Sequence, residues 1–516
     1  MKIAFCLLGL ALSLTPDGAS TLPSDPATGP SVTSIDSARH TLQRLAWGPT
    51  PGQIDRVATE GVARWIADQL AVTSVDDPGH RLGEDDRRSL ATSTPELIRI
   101  YASRRRAVAK RDSAGSRPRA AGPDAPIDIR AVLIDYGTLT LTRQATSTHQ
   151  LAEVLADFWT NHFNVFLNKG MDRVLLRDHV EQAIRPHTLG RFEDLLLATA
   201  TSPAMLFYLD NARSVAPRGA VGTRPARGIT ENYARELLEL HTLGVEGGYS
   251  QADVNDVARA LTGWGFDPQT GRFRFSANAH DRGAKTILGV TFPPGGGEAE
   301  GRQVLHLLAT HPSTVRHIST KLCARFVSDD PPAACVAAAT RAWHATDGEI
   351  RAVVRAIIWS DAFWAEASHP TKVKSPHEFL VSALRALDAD PARAPRLVAM
   401  LGELGQPLFQ QSAPTGWPER ATEWVSSSAL LARMNAALAL VGGQVRGVRP
   451  AILSDVRLSS EPGALIDHLD HEILGGTMGT ATRRTLQERL RAASDPSTMR
   501  QTAIGLILGS PEFQRQ

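Results

Sequence analysis

Net charge is almost absent from this chain of 516 residues: 56 Lys and Arg stand against 54 Asp and Glu, a formal balance of +2. So small an excess exerts little long-range pull on a polyanion, which disfavours dedicated nucleic-acid binding unless a local patch supplies it. Cysteine is scarce too, at Cys6, Cys323 and Cys335 only, and no CxxC pair occurs, so a dithiol redox centre has no support. Long apolar runs are missing after the N-terminus. The best candidate, Leu430 to Val441, is broken by Arg433 and Asn435, well short of the ~18 apolar residues that suggest a membrane span. GxxxxGK[ST], HExxH and GxSxG do not occur, and Gly295-Gly296-Gly297 follows two prolines without the strand-to-helix context of a phosphate cradle. Nucleotide, zincin and lipase-type readings are weak.

What is present is apolar bulk. With 42% hydrophobic and 21% charged residues the chain can bury a large core, and disorder of the whole is excluded. At ~100–200 residues per domain the length suggests about three domains, although one large helical unit absorbs the same length. Lys2 precedes the apolar run Ile3 to Leu14, and Gly18, Ala19 and Ser20 follow: the layout of a secretory signal peptide over residues 1–20. The mature chain is then expected near Thr21, periplasmic or secreted. Cys6 lies inside the apolar run with no small-residue cleavage site before it, which argues against a lipid anchor. Cys323 and Cys335 remain, flanking Asp329, Asp330, Pro331 and Pro332 between two helical patterns. A disulfide across this helical hairpin and a pair of buried thiols both fit.

Helical periodicity dominates. Thr50-Pro51, Thr94-Pro95-Glu96 and Ser375-Pro376-His377-Glu378 each place a capping hydroxyl before a proline, the last completing a capping box. One small β-hairpin is expected near 273–292, where Phe273 and Phe275 alternate with polar residues and TILGVTF reads as a returning strand. Basic Ala/Gly/Ser/Pro-rich stretches at 104–126 and 212–228 read as flexible loops. HTLG occurs at 187–190 and 241–244, where Gly suits a left-handed helix C-terminus and His the last turn.

The densest polar constellation is ENYARELLELHTLG, residues 231–244. On a regular helix Asn232, Arg235, Glu236 and Glu239 share one stripe. Two carboxylates beside a guanidinium suit acid–base work, or a metal held by Glu236, Asn232 and Asp281; an ordinary charged face has the same pattern. His241 falls on the apolar side as a core histidine. In DFWTNHF, residues 157–163, Phe158 and His162 continue an apolar face, so His162 points inward as a proton carrier or a satisfied core residue. Asp210-Asn211, His280-Asp281, Lys285 and Trp264 lie on turns or the hairpin and could add binding groups or, in His280, a proton shuttle.

FWTNHF, SPAMLFYLDN, ENYARELLELHTLG, DVNDVARALTGWGF, HDRGAKTILG and the terminal SPEFQ closely resemble the large bacterial exported family catalogued only as domain-of-unknown-function family eighteen hundred. The likeness runs from about Ala38 to Phe513. It implies one large, mainly helical unit over 38–516 behind a linker at 21–37, with basic insertions at 104–126 and 212–228, and a nearby exported sulfatase-like partner. It implies no accepted catalytic set. Thr230 stands where Asn commonly precedes ENYARE, and the arginine-rich 212–228 segment is longer than usual. The expectation is an exported hydrolase of a cell-envelope or extracellular polymer, using carboxylate chemistry with or without a divalent metal. Glu236 would be base or ligand, Glu239 its partner, Arg235 the anion-holding group, and His162 or His280 the shuttle. The alternative is a non-catalytic envelope scaffold whose Trp264, Trp417 and Trp424 line a protein or glycan groove.

Overall fold

The computed structural model describes residues 34–72, 81–114, 127–217, 228–365, 371–455, 457–493 and 495–516. The expected signal peptide, the linker up to residue 33, and residues 115–126 and 218–227 of the basic segments lie outside the described residues. Helix formation follows the local signals closely. At Ser375 the hydroxyl accepts from the Glu378 amide while the Glu378 carboxylate accepts from the Ser375 amide, and Pro376 opens the helix Pro376–Ala386. Ser250 and Asp253 close the same box before Gln251–Ala260, and Asp495 caps Pro496–Leu508. Twenty-three α-helices form among the described residues, so the fold is mainly α. None of them is long and apolar enough to cross a membrane.

Four local readings change. Thr50-Pro51 make a turn, and the helix Gln53–Glu60 starts after Gly52, whose amide is taken by the Glu472 carboxylate at 2.7 Å. The basic stretch from Arg104 is helical to Ala114, the end of the helix Thr94–Ala114, because Arg, Ala and Lys are strong helix formers. The single hairpin near 273–292 is two: β1 (Trp264–Asp267) pairs with β2 (Arg272–Phe275), and β3 (Lys285–Ile287) pairs with β4 (Val290–Phe292), all antiparallel. Phe273 and Phe275 thus face Phe266 and Trp264, and TILGVTF folds back on itself. Of the two HTLG glycines only Gly244 is left-handed, at φ 85°.

The core is one contiguous cluster whose buried members run from Ala38 to Phe513, with a small satellite around Leu82, Tyr136 and Val180. Three segments switch to π-helical bonding: His179–Ile184, Leu237–Thr242 and Asp470–Leu474. Such bulges re-aim side chains and concentrate at functional places. Of the two states open to the cysteines, the disulfide is the one present. Cys323 of the helix Pro312–Phe326 is bonded to Cys335 of the helix Ala333–Ala345, with Cα atoms 6.3 Å apart. It closes the loop that carries Asp329 and Asp330. Closing a loop of this size removes denatured-state freedom, so Cys335→Ala is expected to lower unfolding stability by ~2–4 kcal/mol in urea titrations under non-reducing conditions. A loss below ~0.5 kcal/mol would contradict a structural role for the bond.

Candidate functional site

The helix Gln150–His162 ends in a cluster of side chains that organise a distant loop. Asn161 Nδ2 donates to the Trp417 carbonyl at 2.9 Å, and its Oδ1 accepts from the Trp417 amide at 2.7 Å. Asn164 Nδ2 donates to the carbonyls of Gln411 and Ala413 at 3.0 and 2.8 Å. The neighbouring Gly416 has φ 74°, and a Cβ there would lie 2.3 Å from the Asn161 carbonyl oxygen, so only glycine allows this approach. Trp424 Nε1 donates to the Pro418 carbonyl, which sets the Trp417 and Trp424 rings 6.1 Å apart. Phe409, at φ 59°, is strained for a bulky residue; its carbonyl accepts from the Leu167 amide at 3.0 Å and its ring stacks on Tyr136.

The facing wall comes from the segment 372–378 and the helix Pro312–Phe326. Arg325 pairs with Glu378 at 2.9 Å, and Gln516 Nε2 donates to the same carboxylate. Burial alone would raise the Glu378 carboxyl, but the Arg325 charge and the Ser375 and Gln516 hydrogen bonds outweigh it and hold the group down at about 2. Lys372 Nζ binds Asp329 at 2.6 Å and the Ala324 carbonyl at 3.0 Å, and Asp329 also accepts from the Ala421 amide at 2.7 Å. The disulfide-closed loop therefore braces the Trp417–Trp424 loop. His377 lies between Gln144 Oε1, 2.8 Å from Nε2, and Asp157, 3.4 Å from Nδ1.

These walls enclose a cavity of about 80 Å³ lined by Asp157, Asn161, Glu378, Trp417, Glu419 and Trp424, among others. That space holds several waters or one polar end group. Glu419 is raised from its ordinary value, because burial outweighs the pull of Lys321, Arg325 and Lys372. Lys321 is lowered by burial, partly offset by Glu419, and donates to His162 Nδ1 at 3.0 Å. His162 Nε2 in turn meets the His241 carbonyl at 3.3 Å. Two carboxyls with opposite shifts, Glu378 and Glu419, thus line one pocket.

The residues expected from the sequence are distributed over three places. His162 sits behind the pocket, on Lys321. The second group lies on the helix Asn232–Glu236, whose regular turn gives way to π bonding at Leu237; Thr242 Oγ1 donates to the Leu237 carbonyl five residues back. The single stripe is broken there. Asn232 Nδ2 reaches the Leu209 carbonyl at 3.4 Å, Arg235 turns to Gln251 and Glu231, and Glu239 accepts from Tyr249 at 3.3 Å. Half-buried Glu236 is raised by burial and by the Glu239 charge, against Arg235. Asp210 pairs with Lys169 at 2.9 Å.

The third group corrects the expectation of accessible binding and shuttle residues. Buried His280 meets the Thr262 carbonyl at 2.9 Å and Glu300 at 3.3 Å, and buried Lys285 meets Glu300 at 2.7 Å plus the Asp281 and Gly283 carbonyls. Arg259 grips both Asp281 oxygens at 3.0 and 3.1 Å, which removes Asp281 from metal binding. Trp264 is 1% exposed, too deep to line a groove: Gly301 packs so close that a Cβ there would lie 2.5 Å from its ring. Asn211 spends its amide on the Leu261 and Trp264 carbonyls. Among the described residues no three His, Cys, Asp or Glu side chains group as metal ligands.

Sequence reasoning saw in Glu378 only a helix cap and passed over Glu419, Lys321, Arg325 and Lys372. The only available signal was KVKSPHEF, which packs two lysines and a glutamate around a helix cap. A family model described as "Protein of unknown function (DUF1800)" matches residues 40–515. No curated protein and no solved structure matches.

Burial also keeps four histidines neutral: His162 is lowered well below its ordinary value, His179 and His317 to about 4, and His241 to about 3. Below pH 6.5 the unfolded chain takes up protons at these positions and the folded chain does not, so stability falls as pH drops from 6.5 toward 4. Each histidine contributes at most ~1.4 kcal/mol per pH unit. Urea unfolding at pH 7.5, 6.5 and 5.5 is expected to show this decline, and His241→Phe to reduce its slope; a slope unchanged by that replacement would contradict the assignment for His241.

Proposed function

The chain belongs to this family of unknown function, and we propose that it is an exported hydrolase whose acid–base site is the Trp417–Trp424 pocket, rather than the Glu236 helix. The carrying observation is Glu419: a carboxyl raised by burial, beside a water-sized space that it shares with the half-buried Asp157 carboxyl. A carboxyl whose proton is held more tightly than usual can donate it to a leaving oxygen, while a second carboxyl on the same space draws a proton from water. The Lys321 charge acts on Glu419, and its ammonium donates to His162. Glu378 is saturated by Arg325, Ser375 and Gln516 and acts as a fixed charge rather than as a nucleophile.

The cavity admits only one polar end group, so the bond attacked lies at a chain end or on a protruding substituent. Trp417 and Trp424 line it, and aromatic rings suit the faces of a sugar. We therefore favour a glycosidic or ester bond of a cell-envelope or extracellular polymer. Export is supported by the N-terminal charge-and-apolar pattern and by the Cys323–Cys335 bond, which persists in oxidising compartments.

Purified chain lacking residues 1–20 is screened on polysaccharides, peptidoglycan and chromogenic glycosides and esters. Glu419→Gln and Asp157→Asn are each expected to lower kcat by ~10²–10⁴-fold with the thermal midpoint unchanged, while Glu236→Gln leaves kcat within a few-fold. Activity retained in Glu419→Gln would remove it from catalysis. A wild-type chain inactive on every class would favour a scaffold that works with an exported sulfatase-like partner.

A further inference from the structure

A second cavity, of about 780 Å³, lies on the far side of Leu408 and Phe409 from the polar pocket, and these two residues line both. Its volume is within the ~300–1,000 Å³ of small-molecule sites. The helix Thr94–Ala114 supplies Tyr101 and Val108, the helix Ile129–Thr146 supplies Leu133 and Ile134, and the helix Arg396–Glu403 supplies Val398 and Ala399. The last two helices meet closely at Gly137, where a Cβ would lie 3.0 Å from both Val398 methyls. Val108 is 54% exposed at one end, a large apolar side chain left in water.

The rim is basic. Arg104, Arg105, Arg130 and Arg173 line the trough against one carboxylate, Asp128, and four against one leaves an excess of three positive charges. Asp128 is already neutralised by Arg104 at 2.8 Å. Arg105, Arg130 and Arg173 have no ion-pair partner among the described residues. An apolar trough edged by unpaired guanidinium groups complements a molecule with a long apolar chain and an acidic end. A purely polar anion would leave the trough unfilled. A second copy packed by two-fold symmetry would set arginine rim against arginine rim.

We propose that this trough binds a long-chain fatty acid, its acyl chain against Tyr101, Leu133, Ile134 and Val398 and its carboxylate at the Arg105, Arg130 and Arg173 rim. The site is separate from the hydrolytic reading and stands or falls without it.

The test is calorimetric titration of the full mature chain with palmitate below its micellar concentration, with thermal midpoints recorded for every variant. One-to-one binding is expected, with hexadecanol weaker and acetate or inorganic phosphate unable to compete. Ala399→Trp, from an exposed position that fills the trough, should abolish binding. Val108→Glu, at the exposed end, should weaken it. The triple replacement of Arg105, Arg130 and Arg173 by Gln should weaken palmitate about tenfold and leave hexadecanol unchanged. The proposal is overturned if palmitate does not bind, if binding is unchanged in both Ala399→Trp and the triple variant, if only anionic phospholipid vesicles bind, or if the trough variants change the oligomeric state instead.

Discussion

Glu378 is the charge on which the surrounding interior depends. Arg325 and Lys372 lie beside it, and Arg44, Lys374 and Arg433 are buried nearby, each lowered by burial and each held charged in part by the Glu378 carboxylate. Among the described residues the Lys374 ammonium, lowered to about 7, has only Ser382 Oγ at 2.8 Å and the face of Phe513 as close partners. Cations cannot be taken from water without compensation, and one carboxylate with an unusually complete set of hydrogen bonds compensates several of them. The same carboxylate caps the helix Pro376–Ala386, so helix start, charge balance and pocket wall are one arrangement.

The polar pocket follows from this. Because Arg325 and Lys372 are committed to Glu378 and Asp329, they stand at fixed places around Glu419 and oppose, without cancelling, the upward push of burial on its carboxyl. The disulfide holds the Asp329 loop, the Asp329 carboxylate holds the Ala421 amide, and Asn161 holds Trp417. Four stretches far apart in sequence thus define a space of a few waters. The His280–Glu300–Lys285 group shows the contrast: its chemistry is equally rich, but its groups are buried and turned on one another.

Local structure was legible where a short-range rule governs it. The Ser375 capping box, the inward face of His162 and the helix-dominated fold follow from caps and apolar spacing. The Glu236 stripe was drawn at 100° per residue, and the π switch at Leu237 has no signature in LLELHT that propensity detects. Turn-borne His280 and Asp281 resemble site chemistry because their partners, Glu300 and Arg259, are invisible until the hairpins pack. Glu378 was read as a cap and nothing more, since a helix cap is local while the arrival of Arg325 and Gln516 at its carboxylate is set by tertiary packing.

The most direct measurement of the account is a double-mutant cycle on Glu378 and Lys374, by urea unfolding of Glu378→Gln, Lys374→Met and the pair. Removing the shared carboxylate leaves buried cations uncompensated, and Glu378→Gln is predicted to cost ~3–5 kcal/mol. Lys374→Met should then be at least ~1 kcal/mol more favourable in the Glu378→Gln background than in the wild type. A cost below ~1 kcal/mol for Glu378→Gln, or strict additivity of the pair, would contradict the claim that this carboxylate balances the buried cations.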